Sequence, residues 1–284
     1  MAGIYWLASY PKSGNTWFRA FLRNLIDDAA EPADINDLVA GGIASSRGWL
    51  DEVLGFDTAE LTHGEVDRLR PEVYRWSLRS DAVEYHKIHD AYVYTTHDEP
   101  LIGREATLGA LYIVRNPLDV AHSAANHWNC TIDQAIERMG DPGMSLASSR
   151  NRLPGQVRQR LRTWSEHVLS WVDAGDLNCL VIRYEDMLMK PQAAFGSAAG
   201  FLNLCCDPTR LEKAIRFSDL EVLSRQEQEQ GFRERPQHTE RFFRRERNSD
   251  WRTKLTPEQV NRVIADQGAV MHRLGYLSED GRPV

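Results

Sequence analysis

The chain of 284 residues has little cysteine: Cys130, Cys179, Cys205 and Cys206, with no C-x-x-C spacing. No disulfide framework can be read from so few, which suits a reducing compartment. Cys179 lies in an apolar run and reads as a core residue. The pair Cys205-Cys206 reads either as redox-active or as part of a loop or helix end. Long hydrophobic runs are missing too. None reaches the ~18 apolar residues of a membrane span, so no span is expected. The first residues carry no charged n-region, and cleavage of a signal peptide would remove the glycine loop at residue 11, so none is expected. An excess of positive charge is also lacking, since the net charge is −7. No global basic field recruits nucleic acid, and an anionic ligand must meet a local basic cluster. There is no internal repeat and no low-complexity segment.

What is present, 42% hydrophobic and 26% charged residues, suits one large α/β domain or two small ones. The chain opens with an apolar run, Ile4 to Ala8, that reads as a short buried strand. Pro11 stops it and Gly14 permits a tight turn. From Thr16 the pattern turns helical, with Trp17, Phe21, Leu22, Leu25 and Ile26 on one face. Strand, small-residue loop and helix together aim backbone N–H groups at one point, where an anion binds well. Lys12 adds a full charge and Thr16 a hydroxyl. The lysine precedes the glycine, so the loop does not fit G-x-x-x-x-G-K-[ST]. Taken alone it is either a phosphate cradle or an ordinary βα turn.

Further along, 64–80 has a helical pattern that Pro71 should break or kink. Val83–Ile88 and Leu108–Val114 are strand candidates, running into Lys87-Ile88-His89 and Arg115-Asn116-Pro117. Asn116 suits an N-cap and Pro117 a helix first turn. The segment 130–156 is polar, and Val157–Val172 reads as one amphipathic helix. Asn178–Arg183 is a fourth strand candidate, followed by Tyr184-Glu185-Asp186. Short helices are expected over Pro191–Leu202 and Pro208–Phe217. Gln228–Asn248 has almost no apolar periodicity, and between Arg233 and Arg252 seven arginines stand against four acids. A last helix is expected over Thr256–Leu274. Helices alternating with short buried strands predict a parallel sheet covered on both faces. In such sheets ligands lie beyond the carboxyl ends of the strands, and the interesting clusters each follow a predicted strand.

These clusters resemble the motifs of the cytosolic-type sulfotransferases, which use 3′-phosphoadenosine 5′-phosphosulfate (PAPS). The family's Y-P-K-S-G-T-T-W is similar to Tyr10–Trp17, Y-P-K-S-G-N-T-W here. Its R-N-x-x-D-V-x-x-S is matched by Arg115, Asn116, Asp119, Val120 and Ser123. Its K-T-H resembles Lys87-Ile88-His89, and its Y-E-D is matched by Tyr184, Glu185 and Asp186. Its late R-K-G-x-x-G-D-W-K is partly matched by Arg244, Arg245, Asp250, Trp251 and Arg252. The five motifs keep the family's order across most of the chain.

The resemblance implies a single P-loop-like α/β domain over 1–284 with a mobile lid at about 228–249, in the cytoplasm. It implies a cofactor site for PAPS and its desulfated product PAP, with no metal, and a small-molecule acceptor bearing a hydroxyl or amine. Ser13, Gly14, Asn15 and Thr16 would hold the 5′-phosphate, and Lys12 would meet the bridging oxygen and sulfuryl group. Trp17 would stack on adenine, or serve as core. Tyr184 would touch the adenine edge, with Ser218 and Leu220 a looser match nearby. Arg115 and Ser123 would bind the 3′-phosphate, with Arg244 and Arg245 closing over it. His89 would be the general base, with His97 in reserve, and Lys87 would add positive charge. Asn15 replaces the family's Thr, Glu246 and Ser249 replace its glycines, and Glu246 stands beside the proposed phosphate site. Glu185 and Asp186 are expected to be structural. The aromatics Trp49, Phe56, Tyr74, Trp76, Tyr92 and Tyr94 are candidates for an acceptor pocket. The competing reading is a catalytically silent or kinase-like nucleotide-binding protein. Neither the acceptor nor the oligomeric state is legible.

Overall fold

The computed structural model describes residues 2–38, 42–78, 82–149, 151–204, 207–236, 238–243 and 251–284. The chain begins with β1 (Gly3–Ser9), α1 (Asn15–Asp27), α2 (Arg47–Leu54) and α3 (His63–Ser77). Then come β2 (Val83–Ile88), β3 (Thr107–Val114), α4 (Pro117–Trp128) and α5 (Ile132–Met139). A two-residue pair, β4 (Ser145–Leu146) and β5 (Gln159–Arg160), precedes α6 (Trp164–Val172) and β6 (Cys179–Arg183). Helices follow: α7 (Tyr184–Met189), α8 (Pro191–Phe201), α9 (Pro208–Phe217), α10 (Leu220–Gln230), α11 (Trp251–Lys254) and α12 (Pro257–Arg273).

The four longer strands form one parallel sheet in the order β2-β1-β3-β6, flanked by helices. Every residue of β1 is buried, as a strand covered on both faces requires. Its register with β2 runs from Gly3 opposite Val83 to Ala8 opposite Ile88. That register stacks the rings of Tyr5 and Tyr85 across the strands. Each of the clusters at Lys12, His89, Arg115 and Tyr184 follows the carboxyl end of one of these strands.

The backbone groups into two compact units. One comprises Met1–Tyr10, Ala40–Tyr112 and Met139–Val181; the other comprises Pro11–Val39, Ile113–Arg138 and Ile182–Val284. In the first, Tyr74 of α3 meets Trp6 of β1 edge-on, and Trp171 of α6 stacks on Tyr112 of β3. In the second, Phe18 and Phe21 of α1 pack on Phe195 of α8.

Two expectations from the sequence are corrected, and one helix is added. Pro71 lies inside α3 and does not end it. A capping box between Thr62 and Glu65 secures the start of that helix, and buried Val66, Arg70, Val73 and Tyr74 hold the turns on either side of the proline. The helix expected from Val157 begins only at Trp164, behind a second capping box of Thr163 and Glu166. Residues 159–160 are instead drawn into β5, and Arg162 takes a left-handed φ of 60° that no helix continues through. The polar segment after Cys130 contains α5, whose Ile132, Ala135, Ile136 and Met139 fall at i, i+3, i+4 and i+7.

Candidate functional site

In the second unit the loop after β1 leads directly into α1. Gly14 is the N-cap, at φ 100°, and no side chain caps the helix. Gly14 thus brings no side chain to the first-turn N–H groups, and the helix dipole adds partial positive charge at the same place. The Ser13 hydroxyl is buried and has no hydrogen-bond partner among the described residues. A Cβ added to Gly14 would lie 2.5 Å from Cδ2 of Tyr184, so the loop comes closer to that ring than any side chain permits.

Several candidate residues meet in one chain of contacts. Lys12 has a left-handed φ of 71°, and its carbonyl accepts from Nη1 of Arg115 at 3.1 Å. The Arg115 guanidinium stands over the Tyr184 ring, 4.3 Å from its centroid. Tyr184 in turn meets the Trp17 ring edge-on at 5.6 Å. Trp17 is 8% exposed, packs on Phe195 and donates from Nε1 to the Ser218 carbonyl at 2.8 Å. The Ser218 hydroxyl is engaged locally, donating to Ala214 and Ile215 carbonyls. Burial raises the Tyr184 phenol above its ordinary range, with Arg115 opposing, so it stays protonated. Ser123, half-buried on α4, and Leu220, at the start of α10, take no part in this chain of contacts. Glu185 is structural: its carboxylate accepts the Asn116 N–H at 2.9 Å and the Tyr276 hydroxyl at 3.0 Å.

Three residues in this unit were not singled out in the sequence. Nζ of Lys12 stands over the Phe242 ring, 4.1 Å from its centroid. The backbone N–H groups of Phe242 and Phe243 donate to the buried carboxylate of Glu227. Arg244 and Arg245, with Glu246 and Ser249, lie outside the described residues.

The first unit holds Lys87, within the end of β2, and His89, the residue just after that strand. Nδ1 of the His89 ring lies 2.8 Å from the Ser9 carbonyl. A carbonyl can only accept, so Nδ1 carries the proton, and the lone pair of the neutral ring lies on Nε2. His86 is core, bonded to Glu84 and stacked on Trp49, and His97 lies exposed on a turn. The six aromatics do not form one wall. Tyr74 and Tyr92 are core, whereas Phe56, Trp76 and Tyr94 are exposed. Among the described residues, no group of three or more His, Cys, Asp or Glu could hold a metal ion, and no helix is long and apolar enough to cross a membrane.

The family model described as the sulfotransferase domain matches residues 4–275. The chain belongs to this family. Sulfotransferase 2A6 of Rattus norvegicus is 23% identical over 227 residues, covering 76% of this chain and 65% of the rat protein. Thus the chain spans about two thirds of that relative's length. Cytosolic sulfotransferase 8 of Arabidopsis thaliana is 23% identical over 269 residues, covering 90% of this chain and 73% of the plant protein. Among solved structures, a retinol dehydratase in complex with retinol and PAP superposes with a TM-score of 0.60 at 16% identity. It covers 94% of this chain and 81% of its own. This sulfotransferase-domain chain therefore shares its fold with that structure.

Proposed function

We propose that this chain transfers a sulfuryl group from PAPS to a hydroxyl or amine of a small-molecule acceptor. The observation that carries the reading is the uncapped start of α1 beside a buried, unpartnered Ser13 hydroxyl. A buried hydroxyl without a partner costs about 1–3 kcal/mol, and a phosphate seated on the helix N-terminus would satisfy it. The PAP reported in the retinol dehydratase complex supports the same class of ligand. The residues present therefore fit the group.

Bound PAPS supplies the activated sulfuryl group and a phosphate leaving group. Ser13, Gly14, Asn15 and Thr16 hold the 5′-phosphate through backbone N–H groups and the Thr16 hydroxyl. Lys12 would supply a full positive charge toward the leaving phosphate, where such a charge favours the transition state over the ground state. Arg115, Ser123, Arg244 and Arg245 take the 3′-phosphate, to which an arginine fork is matched in shape and charge. Trp17, Tyr184, Ser218 and Leu220 border the adenine. His89 takes the acceptor proton on Nε2, and the Ser9 carbonyl that holds the Nδ1 proton supports this role. Lys87 adds positive charge next to it. We further propose a cytoplasmic setting, as the name of the plant relative suggests.

Calorimetric titration with PAP and with ATP tests the donor. Tight binding of PAP and weak binding of ATP is expected, and equal binding of the two would return the chain to the kinase-like or silent reading. Assay of His89→Ala with labelled PAPS and a panel of phenols, alcohols and amines tests the base. Wild-type turnover by that variant would remove His89 from the mechanism.

A further inference from the structure

His89 is fixed from several sides within the first unit. Its ring is tied to Ser9. Its own carbonyl lies 3.0 Å from Nε2 of His167. The carboxylate of the next residue, Asp90, takes a forked pair of bonds from Arg70 at 3.2 and 2.7 Å and the Arg160 N–H at 3.0 Å. The Asp90 carbonyl accepts from the Trp171 indole at 3.1 Å. Ser9 and His89 thus leave neighbouring strands, and α6 supplies two donors that grip the chain where β2 ends.

His167 is wholly buried and takes no direct part in the reaction proposed above. Its hydrogen bonds have a direction. The His89 carbonyl can only accept, so His167 donates from Nε2. In the neutral ring Nδ1 is then the acceptor, and the Tyr112 hydroxyl, 2.8 Å away, donates to it. One sequence of donors runs from Tyr112 through His167 to the backbone of His89. The Tyr10 ring meets His167 edge-on at 5.2 Å and holds the imidazole plane.

We propose that His167 is a positioning residue for His89: by gripping the His89 carbonyl it keeps Nδ1 on Ser9 and so presents Nε2 to the acceptor. The inference rests on the reading of His89 as general base. A purely structural His167 would contribute to stability and leave the His89 ring as it is, and that difference is measurable.

The experiment uses the full chain with 15N-labelled histidine and long-range proton–nitrogen correlation spectra, with His89→Gln assigning the His89 resonances. The wild type should show the Nδ1–H tautomer at His89. The paired variant Tyr112→Phe with His167→Phe removes donor and acceptor together, which leaves no buried phenol unpaired and protects folding. In it the ratio of Nδ1–H to Nε2–H at His89 should fall roughly fivefold, the scale of one neutral hydrogen bond. His167→Gln, whose side-chain N–H can reach the same carbonyl, should keep the wild-type ratio. An unchanged ratio in the paired variant overturns the proposal. The spectra are read without ligand, so titration of the same samples with PAP judges the donor reading separately.

Discussion

The Arg115 guanidinium lies 4.3 Å from the centroid of the Tyr184 ring, and Nη1 of the same group donates to the Lys12 carbonyl at 3.1 Å. The end of β3, the glycine loop and the start of α7 are thereby joined through one side chain. Arg115→Ala should weaken PAP by about 2–3 kcal/mol, roughly 30- to 150-fold in Kd. Arg115→Lys keeps the charge but loses the fork, so it should fall between alanine and wild type. Titration with PAP checks this, and a wild-type Kd for the alanine variant would remove the 3′-phosphate from Arg115.

Gly14 answers two demands at once, a left-handed backbone and a ring too close for a Cβ. Gly14→Ala should lose about 1–2 kcal/mol to backbone strain alone, roughly 2–6 °C in Tm. The displaced Tyr184 would carry Arg115 and Trp17 with it, so PAP affinity should fall as well. Gly48→Ala is the control. Gly48 has open space around its Cβ position and an ordinary helical placement, so thermal melting should find that variant at or slightly above the wild-type Tm.

How much of this was legible in the sequence follows from how local each interaction is. The strand-to-helix loop at Lys12, the Asn116 N-cap and the opening of α7 at Tyr184 depend on neighbours a few residues away, and turn chemistry announces them. The helix α5 carried its signal openly in the spacing of Ile132, Ala135, Ile136 and Met139. The late start of α6 did not, because the pull of Asp90 on the Arg160 N–H acts across 70 residues. Glu227, Phe242 and His167 were invisible for the same reason. Each has an unremarkable sequence context and acquires its role from partners 15 to 230 residues distant.

Glu227 is 4% exposed, yet its carboxylate accepts from two consecutive backbone N–H groups, at 2.8 and 3.0 Å from Phe242 and 2.8 Å from Phe243. Those bonds hold Phe242 under the Lys12 ammonium, a contact of about 0.5–2 kcal/mol. Glu227→Gln exchanges one acceptor oxygen for a donor and must break part of this grip. The expected result is a loss of PAP affinity of roughly 5- to 10-fold, the worth of about 1 kcal/mol, and a similar loss for Phe242→Leu. If Glu227→Gln lowers Tm while the Kd for PAP stays put, the grip serves the fold and not the lysine.

Burial holds the His167 imidazole down to about 4 from an ordinary 6.5, with the His89 carbonyl opposing the shift. Well above pH 6.5 both the folded and the unfolded chain carry this ring neutral, and it adds no pH dependence. As the pH falls from 6.5 toward 4 the unfolded chain binds the proton first, so stability is lost across that window, up to about 3 kcal/mol. Carboxylates titrate over part of the same range, so the contrast with the Tyr112→Phe, His167→Phe pair isolates the histidine. Urea midpoints from pH 7.5 to 4 should fall more steeply for the wild type than for the pair, and parallel curves would mean that His167 is charged inside the fold. A neutral ring also bears on the reaction. A His167 ring that is neutral well above pH 4 keeps its Nε2 donor on the His89 carbonyl, as the proposed positioning role requires.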